Sequence, residues 1–304
     1  MQLTILTTPE LETIGAWLEQ LLAESTGKHG KGIVPVDLEP YAPAEDYGAD
    51  RLFAVLSLDG DEDSELDTQV KALVPAGQPV VKITLSDKAL IGQEFFRWEI
   101  ATAIAGAVIG IDPFDQPDVE DAKIQTRQLI DAYESSGSLA PEKAFHEDAE
   151  IAFFAPGDHG FAPSDPVEIL RTHFASLEAG DYFGFLAYIE RNDEHEEAIA
   201  RMREAVVEAK GVATVAGFGP RFLHSTGQAY KGGPKTGVFL EITRHPDPDL
   251  AVPHHKASFG TVQVAQARGD LDVLAERGQR VLRVHLKTGG VGRLEALVEQ
   301  ALQQ

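Results

Sequence analysis

The sequence predicts an α/β protein of two lobes, and three observations carry that expectation. Leu52–Leu58 (LFAVLSL) and Val80–Leu85 (VVKITL) are near-continuous apolar runs, the pattern of strands buried on both faces. Segments with apolar residues at helical spacing separate such runs, and this alternation implies parallel sheets covered by helices. With 304 residues, 43% of them hydrophobic, the chain has core material for one large or two ordinary domains.

The elements follow in order. Leu3–Thr7 is a short β-rich run, and Pro9 then opens a helix whose stripe is Leu11, Ile14, Leu18, Leu21 and Leu22. Gly27–Val36 is a Gly- and Lys-rich loop entering a strand. Glu94–Gly110 reads as a helix apolar around most of its circumference; Asp112–Pro117 (DPFDQP) breaks it, and Val119–Tyr133 resumes helical spacing. Residues 134–165 read as a linker or irregular crossing. Beyond them come strands at Tyr182–Ile189, Val212–Ala216, Gly237–Thr243 and Val281–Leu286. Helices are expected at Glu194–Ala209, Gly260–Arg277 and Arg293–Leu302. The lobes are therefore placed at 1–145 and 146–304.

Charge narrows the function classes. There are 49 acidic residues against 26 Lys and Arg, a net charge of −23. Such a chain is a poor nucleic-acid binder, because phosphate backbones are met with clustered basic residues, and a poor match for an anionic membrane. No cysteine is present, which removes disulfide scaffolds, thiolate nucleophiles and thiolate metal sites. The first ten residues lack the positive region of a signal peptide. The longest apolar run, Ile100–Ile111, is short of the ~20 residues a bilayer span needs, so a cytoplasmic protein is expected.

Several familiar motifs fail on spacing. The acidic stretch from Asp59 has Ser64 and Val70 where a calcium loop needs Gly and Glu, so it reads as a solvated acidic loop. Gly217-Phe-Gly219 continues to Phe222 where a dinucleotide fingerprint needs its third glycine. Ser25-Thr-Gly-Lys28 lacks the spacing of a phosphate-binding P-loop. His146-Glu147 and His195-Glu196 lack the second histidine of a zinc helix. No metal is expected.

The distribution of acid is more telling. Gly211–Leu240 contains no Asp or Glu, but holds Arg221, His224, Lys231, Lys235 and seven glycines. Ser25–Val36 is a second acid-free island, with Lys28, His29 and Lys31 just after Glu24. Basic, Gly-rich loops at strand ends of an acidic protein suit a small anion; the same loops also read simply as polar and flexible.

The residues in these islands carry a resemblance. Ala23-Glu-Ser-Thr-Gly-Lys28 resembles the E-S-x-G-K segment of bacterial glucose-6-phosphate isomerases, and Leu223-His-Ser-Thr-Gly-Gln228 their L-H-S-x-G-Q segment. Gly110–Glu120, ending at Lys123, resembles their N-P-F-D-Q-P-G-V-E-x-x-K segment. Gly217–Gly233, Gln93–Trp98 and Val281–Leu286 resemble the isomerase portion of bifunctional transaldolase/glucose-6-phosphate isomerases. The resemblance implies a SIS-type parallel sheet covered by helices, with a second α/β lobe.

It also implies roles. Glu24 matches the base that moves a proton between C1 and C2 of the sugar through a cis-enediol. His224 matches the residue that assists ring opening, and Lys123 the one that works with it at the ring oxygen. Such acid–base help is worth about 10²–10⁴-fold per group. An acid in the last turn of a helix opposes the macrodipole, so Glu24 is costly there without a purpose. Lys28, Arg221, Ser225, Thr226, Gln228 and Lys231 are the expected contacts to a phosphorylated sugar, and the mechanism calls for no cofactor.

Two departures stand out. In ordinary bacterial isomerases the histidine segment lies between the glutamate and lysine segments, whereas here it follows both. No S-K-S-G-T-T-like phosphate loop and no G-G-R segment are found. The expectation is therefore the C-terminal catalytic portion of an isomerase. It would depend on an N-terminal SIS or transaldolase portion in cis or in trans, and could lack turnover without it. The alternative is a non-catalytic sugar-phosphate-binding or scaffold module.

Overall fold

The computed structural model describes residues 1–303 except 116, 118, 158, 159, 163, 164 and 289; of residues 119–123 it describes the backbone alone. Strands β1 (Gln2–Thr7), β2 (Val34–Val36), β3 (Arg51–Leu58) and β4 (Val80–Leu85) form a parallel sheet in the order β2-β1-β3-β4. Helices α1 (Glu12–Thr26) and α3 (Ile91–Ile109) cover one face through Ile14, Leu18, Leu22 and Trp98. Helix α2 (Ser64–Leu73) lies on the other with Leu66, Val70 and Leu73 against Phe53 and Val55. Asp59–Asp63 is a partly exposed acidic turn and loop, as expected, and it runs directly into α2, a helix absent from the expected elements. Asp63 caps α2, accepting from the N–H groups of Glu65 and Leu66, and the acids after it begin a helix, where the macrodipole favours them.

The second sheet contains β5 (His146–Glu147), β6 (Ile151–Phe154), β7 (Tyr182–Tyr188), β8 (Ala213–Phe218), β9 (Gly237–Arg244) and β10 (Arg280–Leu286), in the order β5-β6-β10-β9-β7-β8. Strands β7–β10 are parallel, but β6 runs antiparallel to β10 and β5 to β6. The expected linker at 134–165 thus holds two strands, which close the open edge of a mixed sheet. Helices α5 (Pro166–Phe174), α6 (Asp193–Lys210) and α9 (Gly290–Leu302) bury one face around Phe183, Phe185, Leu240 and Val284. On the other, α8 (Phe259–Glu276) packs over Tyr182, Tyr188 and Phe239. Helix α4 (Val119–Ser136) lies along α8, so close that a Cβ on Gly269 would meet Gln125 Cβ at 3.3 Å.

A buried polar network ties the sheets together. Arg51 pairs with Glu39, whose Oε1 accepts from Thr214 N (2.6 Å) and Thr214 Oγ1 (3.1 Å) on β8. Arg203 of α6 reaches back to the carbonyls of Asp37 (2.9 Å) and Leu38 (2.7 Å). Arg51 and Glu39 pair with each other and each makes a further hydrogen bond, Arg51 to Thr4 Oγ1 (3.1 Å), while Arg51 Nε has none among the described residues; such satisfaction is what makes a buried ion pair tolerable. No helix among the described residues is long and apolar enough to cross a membrane.

Candidate functional site

The last turn of α1 presents Glu24, half-buried, and Ser25. Thr26 Oγ1 donates to Leu22 O (2.7 Å) and accepts from Ile33 N (3.0 Å), which folds the chain back on the helix end. Lys28 and Lys31 then exchange backbone hydrogen bonds across His29 and Gly30, both at positive φ (56° and 73°), a tight reversal that a glycine accommodates readily.

Helix α7 (Gly227–Gly232) and the 3₁₀ turn Arg221–His224 meet this end of α1. Gly27 is required at the contact, since a Cβ there would lie 2.2 Å from Ala229 Cα. Buried Gln228 donates to Gly27 O (2.7 Å), and Gly30 N donates to Gly232 O (2.8 Å). Gln20, one turn before Glu24, donates to Glu24 Oε2 (3.3 Å) and to His224 O (3.5 Å). The segment after α3 joins from the other side. Lys28 Nζ donates to Asp112 O (2.8 Å), to Asp115 Oδ1 (2.9 Å) and to Asp115 O, and Lys31 Nζ caps α3 at Ile109 O (2.9 Å).

The structure thus brings the Glu24, His224 and DPFDQP segments together. His224 and Arg221 are exposed and Glu24 is half-buried, with Gln20 bridging Glu24 to the backbone of His224. Lys28, Ser225, Thr226, Gln228 and Lys231 are buried. Lys28 and Gln228 spend the donors described above on protein oxygens, and Lys231 forms a buried ion pair with Asp270. Lys123 is in the first turns of α4; its side chain lies outside the described atoms. Gln20 went unnoticed in the sequence, although its position four residues before Glu24 on a helix places the two on one face.

Behind the site, Glu19 of α1 has its pKa pushed up to about 8, first by burial and then by Asp37, against the opposing pull of Arg203 and Arg221. Burial likewise lifts Asp37 to about 6, with Arg203 the main opposing charge. Arg221 therefore has two carboxyl groups within electrostatic reach behind it and solvent before it. Among the described residues, no group of three or more His, Asp and Glu could hold a metal ion.

The curated relatives that match this chain in sequence do so over less than half of it. No protein-family model matches it. A glucose-6-phosphate isomerase of Parabacteroides distasonis is 31% identical over 152 residues, covering 38% of this chain and 34% of the relative. Those of Rubrobacter xylanophilus (32% over 149 residues) and Lactobacillus helveticus (29% over 151) match to similar extents. Over that share, the chain is similar to glucose-6-phosphate isomerases, and it spans about a third of the length of these curated relatives. A crystal structure of hypothetical protein TT0462 from Thermus thermophilus covers 99% of this chain and 77% of its own, at 14% identity and a TM-score of 0.39, too low to bear on function.

Proposed function

We propose that the chain is the C-terminal catalytic portion of a glucose-6-phosphate isomerase, of the kind found in bifunctional transaldolase/glucose-6-phosphate isomerases. The observation that supports this is the shared hydrogen bonding of three short segments, around Glu24, Asp112–Asp115 and His224, drawn from distant parts of the chain. In this reading, Glu24 takes the C2 proton of the open-chain aldose and returns it to C1 through a cis-enediol. A carboxylate suits the task because it can accept and give back one proton on the same face. Gln20 positions that carboxylate. His224 assists ring opening and Lys123 works with it at the ring oxygen. Arg221, Ser225 and Thr226 contact the sugar phosphate, while Lys28, Gln228 and Lys231 bear on it by holding the segments in place.

The phosphate loop and the enediol-stabilising cation come from an N-terminal SIS portion, in cis or in trans. The uncovered apolar face of α3 (Phe96, Ile100, Ile104 and Val108) is a surface such a portion would cover. A second reading, a non-catalytic sugar-phosphate-binding or scaffold module, is favoured by the protein contacts that occupy Lys28, Gln228 and Lys231. Fructose 6-phosphate turnover separates the two, measured on this chain alone and after mixing with an N-terminal SIS portion. The isomerase reading expects activity that Glu24→Gln abolishes. Sugar-phosphate binding without turnover in either mixture, unchanged by Glu24→Gln, overturns it.

A further inference from the structure

A cavity of about 100 Å³ lies apart from Glu24 and His224, at the carboxyl ends of β9 and β10. Its polar lining is Glu142, Thr243, His245, Arg268, Arg283 and His285. The crevice beyond the carboxyl ends of parallel strands is where open α/β sheets take their ligands. We infer that this cavity is an anion site for a phosphate group, and that Glu142 is a built-in carboxylate occupying it until a ligand arrives.

The argument starts from Arg283. It is 4% exposed, on a strand, with its guanidinium 4.3 Å from the centroid of the Phe154 ring. A buried guanidinium needs an anion. Among the described residues its ion-pair partner is Glu142 Oε2 (2.7 Å), supplied by the irregular segment between α4 and β5 and not by the sheet. Arg268 of α8 pairs with the same oxygen and holds that segment through Ala140 O (2.7 Å). A single carboxylate oxygen therefore serves two guanidiniums, and neither makes the two-pronged contact that arginine offers an oxyanion.

The other carboxyl groups facing Arg283 compete poorly for it. Burial raises the pKa of Asp272, and raises that of Glu241 strongly; both Glu241 oxygens are buried without a hydrogen-bond partner. On the same strand as Arg283, His285 is held down to about 4 by burial and by His245, so it is neutral near pH 7, with Nδ1 3.0 Å from Thr243 Oγ1. Two permanent cations, a hydroxyl and an uncharged imidazole thus surround a space that would hold roughly three waters, or one tetrahedral oxyanion. A phosphate, with three free oxygens as a monoester, can satisfy both guanidinium forks where one glutamate oxygen cannot.

Inorganic phosphate titrated into the full chain, followed by calorimetry and by the imidazole NMR signals, tests this. Glu142→Gln is expected to bind phosphate about tenfold more tightly than the parent chain, because a charged competitor is gone. The gain is expected to vanish in the double variant Glu142→Gln/Arg268→Gln. The signals of His245 and His285, which line the cavity, are expected to move on titration, independently of any response of His224. Equal phosphate affinity in a folded Glu142→Gln chain, or movement confined to His224, overturns the inference. The first outcome leaves the isomerase reading untouched, because none of its residues lines this cavity; the second would put the anion at the proposed sugar-phosphate site instead.

Discussion

The two sheets differ in how completely they are covered. In the second, all seven residues of β7 are buried, and helices close both faces. In the first, α3 buries Glu94, Trp98, Thr102 and Gly106 along one stripe, but exposes an apolar row to solvent: Phe96 (67%), Ile100, Ile104 and Val108 (82%). The rows repeat every four residues, so this is a second helix face and not scattered surface. The second sheet is finished by its own residues; the first has a face that its own residues leave bare.

The sharpest way to test that contrast is a pair of truncations. Phe185→Ala empties a site with no solvent exposure and is expected to cost about 3–5 kcal/mol. Phe96→Ala on α3 is expected to stay within about 0.5 kcal/mol in the isolated chain. Urea unfolding of both variants reads the difference directly; comparable losses would mean that the α3 face is already covered. Next in size is the link between the sheets. Glu39→Ala strands the buried Arg51 and leaves Thr214 N without its acceptor, for an expected loss of about 3–5 kcal/mol. Because the link spans both sheets, unfolding of this variant is expected to separate into two transitions by fluorescence and circular dichroism.

A smaller effect is expected at the junction itself. Gly27→Val drives a branched side chain into the Ala229 backbone and is expected to cost about 1–3 kcal/mol, with any isomerase activity falling alongside. A last effect distinguishes the regions by pH. Glu19, by the first sheet, has a folded pKa raised from 4.5 to about 8. Its stabilising contribution is complete below about 4.5 and is lost as pH rises through about 8. His173, in the second sheet's core, is the reverse. Burial lowers it from 6.5 to about 4 while its Nε2 donates to Phe239 O (3.0 Å), so its contribution is lost as pH falls through that window. Glu19→Gln is expected to flatten the alkaline decline in urea midpoints between pH 5 and about 8.5 and to leave the acid limb intact. An unchanged alkaline slope would count against the raised Glu19.

The strands and long helices were legible because burial imposes period and composition together, as in Leu52–Leu58 or the Leu18–Leu22 stripe. What escaped had its pattern masked. Helix α2 begins among acids that look like loop, although Asp63, Leu66, Val70 and Leu73 form a cap and a stripe. Strands β5 and β6 are too short to show alternation, and β6 turns antiparallel without any local mark. At the candidate site, the motif segments were visible, but their division of labour was not. Burial of Lys28 and Lys231 arises from Asp115 and Asp270, partners far away in sequence. The role of Gln20 depends on the carbonyl of His224, which no periodicity reveals.

The contact of Gly27 with Ala229 also sets a mechanical condition on the chain. The phase of helix α1 is held at two places, by its apolar stripe on the sheet and by the seat of Gly27 against α7. Adding or removing one residue within α1 would rotate its two ends by about 100° relative to each other. Either Gly27 would unseat, or the apolar stripe would leave the sheet. The length of this helix is therefore a setting with discrete values, and Glu24 points where it does because fifteen residues is one of them.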